Sequence, residues 1–337
     1  MWEELTSLEH CEQSVLYAIR NKRKTPYLKH IKNNYKEYGY RLQQTLLDGW
    51  TPSEPRIKTI NEGTRKKTRE LRIPSLQDHF VHTAIAKILE KYLCKRFYFY
   101  ACGSLPGKGQ TFATKALEAN LKKKRPKYCA VADIRKCYQR TKNEHVISCL
   151  RRVFKDERFI KINELVLKQM GGGLAIGFAV SHWYAQLVLS FVDMSIKENF
   201  PKVFLVRFMD NYVFTYKRKR TLHKLLAFLK ERLKLIGHEL NGDWQVFHIS
   251  HRMVEFLSYR LDHDKTILRK SLMYRVTRTI KNAHNLDAHK ARIIMSIRGI
   301  LKHCDSYNYR VKYLYPNVNI ELCRRLISNA DKARLLA

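Results

Sequence analysis

The chain is short of acid: its 337 residues hold 30 Asp and Glu against 65 Lys and Arg, a formal charge of +35. A field of that size opposes compaction by self-repulsion and is best explained by a polyanionic partner. Long apolar runs are missing too. None approaches the ~20 residues that span a bilayer, and the acidic start Met1-Trp2-Glu3-Glu4 is unlike a signal peptide, so we expect a cytoplasmic protein without a membrane partner. The eight cysteines (Cys11, Cys94, Cys102, Cys129, Cys137, Cys149, Cys304, Cys323) form no CxxC pair, which removes a zinc knuckle or dithiol redox motif; we expect them reduced and mostly packed. There is no Walker pattern and no internal repeat.

What the chain does have is enough apolar material, 45% of residues, to bury a core spread over two or three subdomains. Its bases are interleaved with 19 Tyr and 15 Phe, which can stack on nucleobases, so nucleic acid is favoured over an acidic protein or membrane surface. Leu8 to Leu47 reads as basic helices ending near Gly49 and the Pro52 and Pro55 punctuation. A basic turn, Arg65 to Arg69, leads into a short strand, and Asp78 to Cys94 has helical periodicity. The Gly103, Gly107 and Gly109 loop either brings amides to a phosphate or is an ordinary turn before the helix from Thr111. Lys122 to Arg125 reads as a solvated helix end, with a phosphate contact as the other reading.

Tyr128 to Ile134 is an apolar strand ending in Asp133, and Val206 to Phe214 should be a hairpin with Asp210 at its turn. Ser181 is placed to cap a helix running to about Ile196, and Thr221 to Ile236 is helical with a stop at Gly237. Trp244 to Ile249 and Glu255 to Leu261 are further strand candidates, before a basic helical region from Lys270. Strand, helix, strand, strand, helix, strand suits an α+β fold with an antiparallel split βαβ sheet backed by helices. On one edge of such a sheet the two strand-end aspartates can hold divalent cations, as nucleotidyl transfer requires.

Five blocks in order resemble the reverse transcriptases of bacterial retroelements across most of residues 65 to 310. Leu71-Arg72-Ile73-Pro74 with Asp78 is similar to the fingers block, and Ala132-Asp133-Ile134-Arg135-Lys136-Cys137-Tyr138 to the first catalytic block. Ile176-Gly177 through Ser181-His182 resembles the template-contacting block, Phe208-Met209-Asp210-Asn211 the aromatic-x-Asp-Asp block, and Phe256-Leu257-Ser258-Tyr259 the primer grip.

The resemblance implies a right-hand polymerase fold: a helical extension over 1–50, fingers over 51–128, a palm over 129–262 with part of the fingers inserted at 141–170, and a helical thumb over 263–337. It implies two Mg²⁺ ions, or Mn²⁺, on Asp133, Asp210 and the Ile134 carbonyl, with Asn211 beside them. It implies that Arg72, Lys66 and Lys67 hold the triphosphate, Lys66 and Lys67 also reading as a solvated hairpin, and that Tyr138 excludes a 2′-hydroxyl. Ile176 and Gly177 would line the nucleotide; Ser181, Phe256, Leu257, Tyr259 and Arg298 would face template and primer. The implied partners are a structured template RNA, its DNA product and a small basic accessory protein.

Two departures set this chain apart from its relatives. Asn211 stands where most carry a second aspartate, which removes a charge from the metal edge and opens the reading of a catalytically silent RNA-binding scaffold. Ala175-Ile176-Gly177 replaces Pro-Gln-Gly, a style similar to diversity-generating retroelement enzymes, which copy RNA with errors; group II intron and retron enzymes are more distant. Ile176 and Arg72 would then loosen base selection. A domesticated antiphage enzyme shares the same blocks.

Overall fold

The computed structural model describes residues 1–22, 25–62, 67–283 and 286–336. The chain opens with helices α1 (Trp2–Leu5), α2 (Leu8–Ile19), α3 (Pro26–Asn33) and α4 (Tyr35–Leu47). Ser7 caps α2 by accepting from His10 N–H, and Thr25 caps α3 by accepting from Leu28 N–H, with Pro26 in the first turn where its missing donor costs nothing. An antiparallel hairpin follows, β1 (Arg56–Glu62) and β2 (Lys67–Ile73), registered Arg56 to Ile73. Helix α5 (Leu76–Leu93) starts two residues before the expected Asp78 because Ser75 accepts from Asp78 N–H and caps it.

Next come β3 (Ala101–Cys102), α6 (Gln110–Lys122), β4 (Tyr128–Asp133), α7 (Cys137–Arg140), α8 (Asn143–Val153), α9 (Glu157–Met170) and α10 (Ser181–Asn199). The hairpin β5 (Phe204–Phe208) and β6 (Asn211–Tyr216), helix α11 (Lys219–Leu235) and β7 (Gln245–His248) complete a sheet in the order β3-β5-β6-β4-β7. Apart from short β3, which runs parallel to β5, its neighbours are antiparallel, and β4-α10-β5-β6-α11-β7 is the split βαβ unit.

Both faces of this sheet are covered. Ala130, Leu205, Tyr212 and Phe214 turn toward α10 and α11, while Cys129, Val206 and Val213 turn toward α6 and the helices from α12 onward. Successive strand residues point to opposite faces, so a sheet buried on both sides reads as an unbroken apolar run. Helix α10 ties the layers together: Trp183, Tyr184 and Leu187 join the core of α5, α8 and α9, and Leu189, Val192 and Ile196 join the sheet.

Two local expectations are corrected. Glu255 to Leu261 is not one strand of the central sheet. It splits into β8 (Val254–Phe256) and β9 (Tyr259–Leu261), which with β10 (Thr266–Leu268) form a separate three-stranded sheet, because Leu257 turns the chain back at φ 54°. Ser181 does not cap α10. Val180 holds the cap position, and Ser181 is the first helical residue, its hydroxyl donating 2.6 Å to the Ala175 carbonyl. Helices α12 (Lys270–Lys281), α13 (Ala288–Leu301), α14 (Tyr307–Tyr309) and α15 (Ile320–Leu336) end the chain, α15 packing on α13. The eight cysteines are all free thiols, six of them buried. Among the described residues no helix is long and apolar enough to cross a membrane.

Candidate active site

The edge of the central sheet carries the two aspartates. Asp133 ends β4 and pairs in register with Asn211, the first residue of β6, so the Met209-Asp210 turn stands beside it. The Ile134 N–H donates 3.1 Å to the Asp210 carbonyl and closes the two strand ends together. Both aspartates are half-buried and Asn211 is exposed, its amide donating 3.2 Å to Asp210 Oδ1.

The turn is braced from below. Met209 takes a positive φ of 55°, and its N–H donates 3.0 Å to the Cys102 carbonyl. Gly103 lies so close that a Cβ there would sit 2.7 Å from Met209 Cγ, and its own φ of 93° suits glycine. The Gln186 amide donates to the Cys102 and Gly103 carbonyls at 3.1 and 2.8 Å. The glycine loop is therefore the support of the aspartate turn, with the Gly103 N–H donating to the Lys108 carbonyl.

Deeper still lies Arg207, fully buried in β5. Its Nε and Nη2 donate to the Asp193 carboxylate at 2.9 and 2.6 Å, Tyr212 donates to the same carboxylate at 3.0 Å, and Nη1 donates 2.8 Å to the Met209 carbonyl. Burial works against the Arg207 charge, but Asp193 outweighs it and holds the guanidinium protonated above its ordinary range. Opposite, the Asn241 side chain donates to Asp133 Oδ2 and its N–H donates 2.8 Å to the Asp133 carbonyl. Burial, with the Asp210 carboxylate nearby, pushes the Cys137 thiol up to about 12, which keeps it neutral beneath the site.

Two carboxylates and main-chain oxygens at one strand edge are a hard donor set that fits Mg²⁺, an ion normally held by one or two protein carboxylates plus substrate phosphates. Among the described residues no group of three or more His, Cys, Asp or Glu is gathered as a protein-only metal cluster.

Elsewhere, at the candidate nucleotide-binding residues, β2 meets the loop before α10. Arg72 N–H donates 2.9 Å to the Ile176 carbonyl, and Gly177, at φ 116°, approaches so closely that a Cβ would sit 2.3 Å from the Arg72 carbonyl oxygen. The Arg72 guanidinium donates to Glu70 Oε1 at 3.1 Å and to the Met170 carbonyl at 2.7 Å, so it also holds the α9 end. Tyr138 is partly buried, its carbonyl accepting from Leu174 N–H at 2.8 Å; burial raises its phenol pKa. Lys66 lies outside the described residues, as does the Lys67 side chain. Asp78 is a clamp: buried, it accepts from Trp50 Nε1, Ser53 N–H and Gln169 Nε2 at 2.9, 3.2 and 2.9 Å.

The template and primer candidates divide. Ser181, Phe256 and Tyr259 are buried, the Tyr259 hydroxyl donating 3.0 Å to the Ile300 carbonyl, so their side chains face the core. The turn at Leu257 and Ser258 is partly exposed, its Leu257 carbonyl accepting from Arg269 at 3.2 Å, and Arg298 is partly exposed near the end of α13. Asn241, Gln186 and the Arg207–Asp193–Tyr212 set were not picked out as functional from sequence. Arg207 carried a signal, a charge inside an apolar strand; Asn241 carried none beyond a turn-like Asn-Gly pair.

The family profile described as reverse transcriptase (RNA-dependent DNA polymerase) matches residues 58–261. Among curated proteins none matches the chain. Among solved structures it is similar to apo telomerase from Candida tropicalis (TM-score 0.53, 14% identity, covering 67% of this chain and 50% of that one). Telomerase from Candida albicans in complex with a TWJ fragment of telomeric RNA is also similar (TM-score 0.52, 12% identity, 78% and 54% covered). The chain thus spans about half the length of these telomerase chains, and at such identity the likeness speaks for the fold: α+β, the right-hand polymerase arrangement. With the profile match covering more than half of its residues, the chain belongs to the reverse transcriptase family.

Proposed function

We infer that this chain is an RNA-directed DNA polymerase, a nucleotidyltransferase that copies a structured RNA into DNA at Asp133 and Asp210. One observation carries the reading: β4 pairs with β6 so that Asp133 and the Asp210 turn share one sheet edge. Asp133, Asp210 and the Ile134 carbonyl would hold two Mg²⁺ or Mn²⁺ ions, which when bound activate the primer 3′-hydroxyl and offset triphosphate charge. Asn211 donates to Asp210, so the edge keeps two carboxylates rather than three. Tyr138 would lie beneath the sugar and exclude a 2′-hydroxyl, and Arg72, with Ile176 and Gly177, would frame the base and triphosphate. The +35 charge suits a template RNA and DNA product.

The test is dNTP incorporation on a primed RNA template with Mg²⁺ or Mn²⁺. Extension that Asp210→Ala abolishes supports the reading. RNA that copurifies with a chain extending nothing in either metal turns it to the RNA-binding scaffold that Asn211 suggests.

Ile176 favours a finer reading, error-prone copying in the manner of diversity-generating retroelements. An apolar side chain at this junction gives the base no hydrogen-bonding partner, while its carbonyl is occupied by Arg72 N–H. Ile176→Gln is expected to lower misincorporation, and an unchanged error rate ends this finer reading.

A further inference from the structure

Helices α2 and α3 wall a groove of about 700 Å³ that shares no residue with the aspartate edge. Leu16, Ile19 and Leu28 make its apolar lining. Arg20, Lys22, Lys29 and Lys32, all exposed, supply its charge, and among the described residues no Asp or Glu lines it. Tyr17 stands at the groove with 45% of its surface exposed, the Arg20 guanidinium 4.2 Å from its ring centroid.

Folding alone does not call for this combination. Four like charges around one groove repel each other, and an exposed tyrosine contributes little to the core. An apolar floor beside an aromatic ring and a cationic rim does match single-stranded nucleic acid, whose bases stack while its phosphates pair with Lys and Arg. The volume lies within the range of ligand clefts and admits a short stretch of chain.

We propose that this groove docks a short single-stranded RNA segment, holding the RNA at a point away from polymerisation. The α2 helix packs against α5, in the core that also contains α8 and α9, and Arg72 is tied to that core through its 2.7 Å bond to the Met170 carbonyl at the end of α9. An acidic protein segment is the competing occupant.

The proposal rests on the RNA partner inferred above, so binding and extension are read separately. A fluorescein-labelled unstructured RNA is titrated against the full chain and against Arg20→Glu/Lys29→Glu/Lys32→Glu over a series of salt concentrations. Each single-strand phosphate contact contributes ~0.7 to the slope of log K against log salt, so losing three flattens it by about 2. Affinity falls at least tenfold at low salt, while extension of a short primed template is unchanged. Tyr17→Ala weakens binding and leaves the slope alone, because it removes stacking and not charge. Unchanged affinity and slope in the triple variant overturn the proposal, as does poly-glutamate binding that the triple variant abolishes while RNA binding stays intact. The three substituted side chains are exposed, so the fold is expected to hold; should the melting temperature drop, Lys29→Gln/Lys32→Gln repeats the test with about two-thirds of the slope change. Because binding does not depend on turnover, a chain inactive in extension still decides the question.

Discussion

Asp193→Asn is the substitution whose outcome the structure specifies most fully. It leaves the Arg207 guanidinium, fully buried, facing a neutral amide where a carboxylate accepted from Nε, Nη2 and the Tyr212 hydroxyl. Removing one partner of a buried pair costs roughly 3–5 kcal/mol, mostly the penalty of the stranded charge. An unfolding entropy near 2.1 cal/mol/K per residue gives about 0.7 kcal/mol/K for 337 residues, so a chain melting in one transition loses about 4–7 °C. Replacing the whole set with apolar groups, as Asp193→Leu/Arg207→Met/Tyr212→Phe, removes the stranded charge and should return the melting temperature to within a few degrees of wild type. In this triple variant the Met209 carbonyl loses the donor that Arg207 supplied at 2.8 Å, so the turn carrying Asp210 loosens. Loss of a charge-assisted bond of ~1.5–3 kcal/mol should hold kcat at least tenfold down. Melting curves and primer-extension kinetics on the wild type and both variants decide the matter. A triple variant with the kcat as well as the melting temperature of the wild type would refute the reasoning, reducing the set to core filling.

Asn241→Ala frees the Asp133 carboxylate from the amide that orients it, so the Mg²⁺ concentration for half-maximal extension should rise several-fold with little change in melting temperature; an unchanged metal requirement rules this role out. Gly177→Ala forces a Cβ against the Arg72 carbonyl at a φ that disfavours side chains, and should cost at least about 1 kcal/mol and raise the KM for dNTP, an unaltered KM counting against the β2 contact. Asn211→Asp adds a carboxylate beside Asp210 and should lower the Mg²⁺ requirement; no change, or a loss of rate, means the edge is built around the amide. Burial holds His79, His82 and His182 near 4 instead of the ordinary 6.5. As the pH falls through 6.5 the unfolded chain protonates these rings while the folded chain waits until about 4, so stability is full above 6.5 and is lost across that window. Urea midpoints at neutral pH and near pH ~5 should show the decline, and a flat profile would contradict the burial of these rings.

Much of the palm was legible because its signals are local. Asp133 and Asp210 close apolar runs, the Leu222 to Leu233 spacing marks α11, and the order of these elements leaves few ways to build a sheet. The misses are equally physical. Glu255 to Leu261 has the apolar and aromatic content of a single strand, and nothing in its sequence announces that Leu257 adopts a positive φ and reverses the chain. Ser181 has the right chemistry for a cap, yet the Ala175 carbonyl, brought close by the preceding loop, takes its hydroxyl inward.

The sequence by itself determined the polyanion-seeking charge, the strand ends that bear the carboxylates and the order of the blocks, since charge, periodicity and strand termination are properties of neighbours in the chain. Only the tertiary structure decided what holds those carboxylates: Asn241 on Asp133, and Arg207, Asp193 and Gln186 beneath the Asp210 turn. These partners come from separate elements, and each hydrogen bond depends on ångström-scale placement that arises only when the sheet, α10 and the glycine loop pack together.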